Sequence, residues 1–242
     1  MDEVGKGFRR AAVFGASGGI GMALVEALLD RGIEVWAGSR AGLPLVAGSH
    51  AFRFDLKDEA SIASVADRMR ESPPDLVIVA TGVLTLNDGT GPEKSYRHVD
   101  GEAMLEVIRL NTVGPALIAK HMLPLFPRHQ RAVFAALSAR VGSIGDNRLG
   151  GWHSYRASKA GLNMLLRNLS VEMARTNPQA IVAGLHPGTV DTQLSLPFQG
   201  HLREGQLMRP DQAAHQLLSV LQALRPADSG AVFDYSGKIL PA

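Results

Sequence analysis

Strand-like and helix-like segments alternate along nearly the whole chain. RRAAVF (9–14), IEVWAG (33–38), HAFRFD (50–55), DLVIVA (75–80), RAVFAALS (131–138), AIVAGLH (180–186) and GAVFDY (230–235) are short apolar runs, the content and length of buried strands. Helical patterns separate most of them: Ile20 to Arg31, 58–71, a long stretch from about Gly101 to Leu125 with a bend expected at Pro115, 152–175, and 210–224 opened by Pro210. Repeated strand-helix-strand order predicts an α/β protein with a doubly wound parallel β-sheet, its strands covered by helices on both faces. The irregular stretches 82–100, 139–151 and 187–209 follow the fourth, fifth and sixth strands. They therefore belong at the carboxyl edge, where such sheets bind ligands.

The other 242-residue properties narrow the reading. Hydrophobic residues make up 45% and charged residues 20%, which suits one globular domain over 9–242 behind a loose tail, 1–8. The net charge of +2 comes without a Lys/Arg run, so no nucleic-acid partner is expected. The chain has no cysteine, which removes disulfides and thiolate chemistry. The opening MDEVGKGFRR lacks the apolar core of a signal peptide, and no apolar run suggests a membrane span. A cytoplasmic protein without a membrane partner is the expectation. The eight histidines are scattered, so no metal site is expected.

GASGGIG, Gly15 to Gly21, follows the first strand and opens a helix. Glycines there permit a tight turn and close approach of backbone to a phosphate, with helix-terminal amides aimed at the anion. The second strand ends in Gly38-Ser39-Arg40 rather than an acid. A guanidinium suits a ribose 2′-phosphate, so NADP(H) is favoured, with NAD(H) possible. Asp55, at the end of the third strand, suits either an adenine amino group or the cap of the following helix.

Tyr155 and Lys159 stand four apart at the start of the 152–175 helix, a spacing that puts them on one face. A phenol with a pKa near 10 becomes a usable acid/base when a cation stands by to stabilise its phenolate. Gly15-x-x-x-Gly19-x-Gly21, Asn111, a serine after the fifth strand, Tyr155-x-x-x-Lys159 and HPGTVDT (186–192) occur in that order. In this the chain resembles the short-chain dehydrogenase/reductase family, over nearly its full length. GGWHSYRASKAGLN and DSGAVFDYSGKILP look closest to its carbonyl-reductase-like and C-factor-like members.

The resemblance implies a single-domain Rossmann fold with strand order 3-2-1-4-5-6-7. It implies reversible hydride transfer between NADP(H) and a carbonyl or alcohol. Tyr155 would move the proton, Lys159 would lower its pKa and hold the ribose, and Asn111 would interrupt its helix and support a proton relay. Ser138 is the expected carbonyl-side donor. Ser143 is the alternative, because Ala139 stands where most relatives carry the serine. The implied cofactor set is Gly15, Ser17, Gly19, Ile20, Gly21, Arg40, Asp55, Leu56, Ala80, Thr81 and Gly82, with Tyr155, Lys159, Pro187, Gly188, Val190 and Thr192. Within it, Pro187-Gly188 would turn against nicotinamide, the Val190 backbone would hold the carboxamide, and Thr192 would reach the pyrophosphate. Relatives typically carry Asn-Asn-Ala-Gly where this chain has Val79-Ala80-Thr81-Gly82. The loop 193–208, with Leu194, Leu196, Pro197, Phe198 and Leu207, is expected to cover an apolar small-molecule substrate. Trp152 would either touch that substrate or pack under the loop. A homo-oligomer is expected. The rival reading is a dinucleotide-binding signalling protein with little turnover.

Overall fold

The computed structural model describes residues 7–202 and 205–241. Seven parallel strands form one sheet: β1 (Arg10–Phe14), β2 (Glu34–Ser39), β3 (His50–Arg53), β4 (Leu76–Val79), β5 (Ala132–Leu137), β6 (Ala180–His186) and β9 (Val232–Asp234). Their spatial order is β3-β2-β1-β4-β5-β6-β9, the order the resemblance implied. Two short strands, β7 (Thr189–Val190) and β8 (Leu207–Met208), pair separately. They lie in the stretch read as irregular, and two-residue strands carry too little pattern to be visible in sequence.

Side chains alternate across the sheet, so each strand feeds two cores. Ala11 and Val13 pack beneath α1 (Gly19–Leu29) and α6 (Pro210–Ala223). Ala12 and Phe14 face the layer that contains α2 (Glu59–Arg68), α4 (Gly114–Met122) and α5 (His153–Thr176). Of the expected loose tail, residues 1–6 lie outside the described residues. Phe8 is buried, with the Arg131 guanidinium 4.7 Å from its ring centroid.

The helix before β5 is irregular just ahead of Pro115. It runs as α3 (Gly101–Ile108), widens into a π turn over Arg109–Val113, and resumes as α4 with Pro115 in its first turn. Pro115 has no N–H for the Asn111 carbonyl, which lies four residues back. The Gly114 N–H bonds the Arg109 carbonyl, five residues back, and the extra residue swings Asn111 inward. The cap of α2 is Asp58, which accepts from the Ala60 and Ser61 amides. Asp55 is not a cap, and its Oδ1 accepts from the Lys57 amide at 2.9 Å.

Candidate active site

The sheet order reverses between β1 and β4, and a cleft of ≈ 560 Å3 opens at the carboxyl ends there. Gly15, Ser17, Arg40, Asp55, Leu56, Ala80, Thr81 and Gly82 all line it. Gly15 has φ +96°, and a Cβ on it would sit 2.9 Å from the Ala80 carbonyl carbon. A Cβ on Gly21 would collide with the Gly15 carbonyl. Gly18 caps α1 without a side-chain hydrogen bond, which leaves helix-terminal amides for an anion. Gly19 faces Thr192, whose Cγ2 would lie 2.7 Å from an added Cβ. The HPGTVDT turn therefore meets the glycine turn. Ile20 is partly buried against the core beneath α1. At 79–82 the Ala80 amide donates to Phe14 O at 2.7 Å and continues the β4–β1 ladder.

The cleft suits a dinucleotide on its own chemistry. Thr81 Oγ1 is buried there without a partner, and such a group calls for a hydrogen-bonding ligand. The glycine cradle would be filled by any larger side chain. Arg40 is exposed on the lining of the cleft, and no ion pair engages it among the described residues.

Beside this cleft α5 carries Tyr155 and Lys159, both buried. Lys159 Nζ donates to Leu137 O at 2.8 Å and lies 5.8 Å from the Tyr155 ring centroid. Gly82 passes between the helices. A Cβ on it would be 3.4 Å from Asn111 Oδ1 and 3.5 Å from Lys159 Nζ. The Asn111 amide is fully satisfied. Its Oδ1 accepts from Val83 N at 2.8 Å, and its Nδ2 donates to Val83 O at 2.9 Å and Ser158 Oγ at 3.1 Å. A close-approach glycine, Gly142, seats the segment after β5 against Lys159, where a Cβ would come within 2.8 Å of the Lys159 backbone and Cβ.

Burial sets the charges. Desolvation pushes the Tyr155 phenol up to about 12 and the Lys159 ammonium down to about 8. The expected lowering of the phenol by its lysine is thus outweighed, because removing both groups from water disfavours both charged forms. At neutral pH the pair is a protonated phenol next to a cation.

Ser138 is buried at the end of β5, and its Oγ donates to Asn163 Oδ1 at 2.5 Å. Ser143 is also buried, and its Oγ accepts from the Asp146 amide at 3.1 Å. Pro187, Gly188 (φ +78°) and Val190 form the turn after β6, with Gly188 against the Tyr235 ring. Val190 O accepts from Ser195 Oγ at 2.5 Å.

Three contributors were not foreseen. Ser158 bridges the Asn111 amide to Tyr155 O; its position three after Tyr155 was the available signal. Asn163, one turn beyond Lys159, engages Ser138. Glu93 holds the start of α5: its carboxylate accepts from Ser154 Oγ and, at 3.1 Å, from Ser154 N, and its carbonyl accepts from Trp152 N at 2.5 Å. Desolvation, the largest single effect, pushes its carboxyl up, but the hydrogen bonds and the nearby His153 together outweigh it and hold the carboxyl below the usual range. No local pattern signals a contact across 61 residues.

Sheet order and crevice place the protein among dinucleotide-binding α/β proteins. The short chain dehydrogenase family model matches residues 9–200. The chain is 30% identical over 238 residues to 1-hydroxy-2-glutathionyl-2-methyl-3-butene dehydrogenase of Rhodococcus sp. strain AD45, covering 94% of this chain and 97% of that one. It is 33% identical over 170 residues to the C-signal protein of Myxococcus xanthus, covering 70% and 93%. The NADPH-bound carbonyl reductase from chicken fatty liver superposes with a TM-score of 0.82 at 26% identity, covering 99% of this chain and 97% of that one. The protein belongs to the short-chain dehydrogenase/reductase family of oxidoreductases, whose cofactor is a nicotinamide dinucleotide. Among the described residues there is no metal-holding cluster, and no helix is long and apolar enough to cross a membrane.

Proposed function

We propose that this protein reduces an apolar carbonyl compound, and oxidises the matching alcohol, with Tyr155 as the proton donor and acceptor and NADP(H) as cofactor. The observation that carries this reading is the buried Tyr155–Lys159 pair packed against Gly82 and Asn111 at the mouth of the cleft. When bound, the nicotinamide supplies or takes the hydride. Gly15, Ser17, Gly19, Ile20 and Gly21 would hold the pyrophosphate side, with Thr192 behind them. Asp55 and Leu56 would bound the adenine, Ala80, Thr81 and Gly82 the ribose edge, and Pro187, Gly188 and Val190 the nicotinamide.

In the reducing direction the Tyr155 hydroxyl gives its proton to the carbonyl oxygen. The phenolate left behind is stabilised by the Lys159 ammonium, an interaction strong where water is excluded. Asn111, tied to Ser158 and Val83, keeps the space between the helices fixed for proton return to Lys159. Ser138 would turn from Asn163 to the substrate oxygen, with Ser143 the alternative donor. Arg40 supports NADP over NAD, because an unpaired guanidinium at the ribose is suited to a 2′-phosphate. Leu194, Leu196 and Leu207 are exposed on the covering segment, which supports an apolar substrate. The exposed apolar side chains Leu105, Val113 and Met164, on and between the packed helices α3, α4 and α5, support self-association.

Tyr155→Phe tests this reading. Loss of a positioned proton donor costs about 10²–10⁴ in rate, so carbonyl reduction followed by NADPH absorbance should fall by that factor. The same variant, titrated by cofactor fluorescence, should bind NADPH about tenfold more tightly than NADH, on the order of one charge-assisted contact. Near wild-type turnover would remove Tyr155 from the chemistry. Equal affinities for the two cofactors would remove Arg40 from cofactor selection.

A further inference from the structure

The start of α5 is built in a costly way. Gly150, Gly151 and Trp152 have φ of 63°, 64° and 53°, three successive left-handed residues. Glycine adopts that region freely, whereas a bulky side chain there is an outlier. Trp152 is also the N-cap of α5, with no side-chain cap bond. Asn or Asp would serve this position better on both counts, tolerating the left-handed backbone and accepting helix-terminal amides. A residue unsuited to the backbone and to the cap is therefore retained for what its ring does.

The surroundings hold that backbone firmly. Trp152 N donates to Glu93 O, the Arg156 amide donates to Trp152 O at 2.8 Å, and Arg156 Nε donates to Gly151 O at 3.0 Å. The indole is thereby presented at the site. Its centroid lies 6.2 Å from the Tyr155 ring at 73° and 5.1 Å from the Phe198 ring at 60°. The first is an edge contact and the second a tilted one. Trp152 is only partly buried, so part of the residue remains accessible beside Tyr155.

We infer that Trp152 is a specificity-determining residue: with Phe198 it forms an aromatic wall beside Tyr155 that receives the flat, aryl or conjugated substituent of the carbonyl substrate. The inference rests on the reading of Tyr155 as the proton donor. It makes the substrate class narrower than an apolar carbonyl. A short alkyl group has no ring face to offer and gains little from the wall.

The test compares Trp152→Gly and Trp152→Phe with the wild type on 4-nitrobenzaldehyde and butanal. Trp152→Gly should raise KM for the aryl aldehyde about tenfold, the size of one lost aromatic contact, and leave that for butanal within about twofold. Its Tm should hold within about 3 °C, because glycine relieves the left-handed backbone while the ring packing is lost. Trp152→Phe should restore most of the aryl preference. Equal losses on both aldehydes, or no loss on either, would overturn the inference. If the wild type reduced neither aldehyde, the proposed function would fall, and the wall would be judged by binding alone. In a Trp36→Phe background Trp152 is the sole indole. Saturable quenching of its fluorescence by acetophenone would keep the wall, and unsaturable quenching would remove it.

Discussion

Lys159 shows what a buried charge costs this protein when its partner is a neutral phenol. Its ammonium, held near 8 against an ordinary 10.5, binds its proton less tightly in the folded chain than in the unfolded one. Each tenfold change in proton affinity carries ~1.4 kcal/mol, so the charged lysine destabilises the fold by about 3 kcal/mol at neutral pH. That cost is full below about 8 and disappears as pH rises toward 10.5. Lys159→Met should therefore be more thermostable than the wild type at pH 7, less about 1 kcal/mol for the lost bond to Leu137 O. The gap should narrow as pH rises from 8 to 10. Tyr155 is present in both proteins, so its own titration cancels. Melting curves at pH 7 and pH 10 decide it, and a gap that does not change with pH would contradict the burial argument. A protein that keeps such a residue does so for its charge. The spacing of Tyr155 and Lys159 was legible because both lie on one helix, where i and i+4 share a face. The orientation of Ser138 was not. The stretch LSARVGS shows which serines follow β5 but not that Asn163, from α5, occupies the Ser138 hydroxyl.

At the scale of elements, α5 is held at its start by a distant carboxylate instead of a local cap. Its N-cap residue offers no side-chain acceptor, and the first turn of α5 holds no acid. Glu93 fills both roles from the loop after β4, with a negative charge at the positive end of the helix. Glu93→Ala should lower stability by about 1–3 kcal/mol, the usual cost of leaving buried donors unsatisfied. Circular dichroism on urea titration would measure it, and no change would mean the cap is dispensable. The sign with pH follows from the lowered carboxyl pKa. Glu93 stabilises the fold fully above about 4.5, its unfolded value, and that contribution is lost as pH falls through its lower folded value. The wild-type advantage over Glu93→Ala should therefore shrink in acid. The π turn at Asn111 illustrates the opposite degree of legibility. Gly114-Pro115 announced a disturbance in the helix. The missing N–H acts on the carbonyl four residues earlier, so the distortion sits at 109–113 instead of at the proline itself.

For the whole molecule, the layers were legible in the alternation of apolar runs and helices, and the strand order through the family resemblance. A doubly wound sheet places all three long loops on one edge. What the pattern could not show was contact between loops, since neither the pairing of β7 with β8 nor the meeting of Trp152 with Phe198 leaves a periodic trace. Nor does a hydrophobic period distinguish core from a face left over after folding. Leu162 and Leu166 on α5 are fully enclosed, whereas Met164 between them, together with Leu105 on α3, is more than half exposed. Exposed apolar groups on two helices packed together are the usual mark of an interface rather than of a solvated surface. If two copies pair through α3 and α5, a charge at the centre of that surface must be buried without a partner, at a cost of several kcal/mol. Met164→Arg should then sediment as a monomer at concentrations where the wild type sediments as a dimer or larger assembly. Because Met164 projects away from Tyr155 and Lys159 into solvent, cofactor binding by the dissociated chain should remain within about twofold, as expected of a surface change away from the site. Wild-type protein that is monomeric at 100-fold dilution and at high concentration alike would exclude this interface, and an unchanged assembly in Met164→Arg would move it to another face.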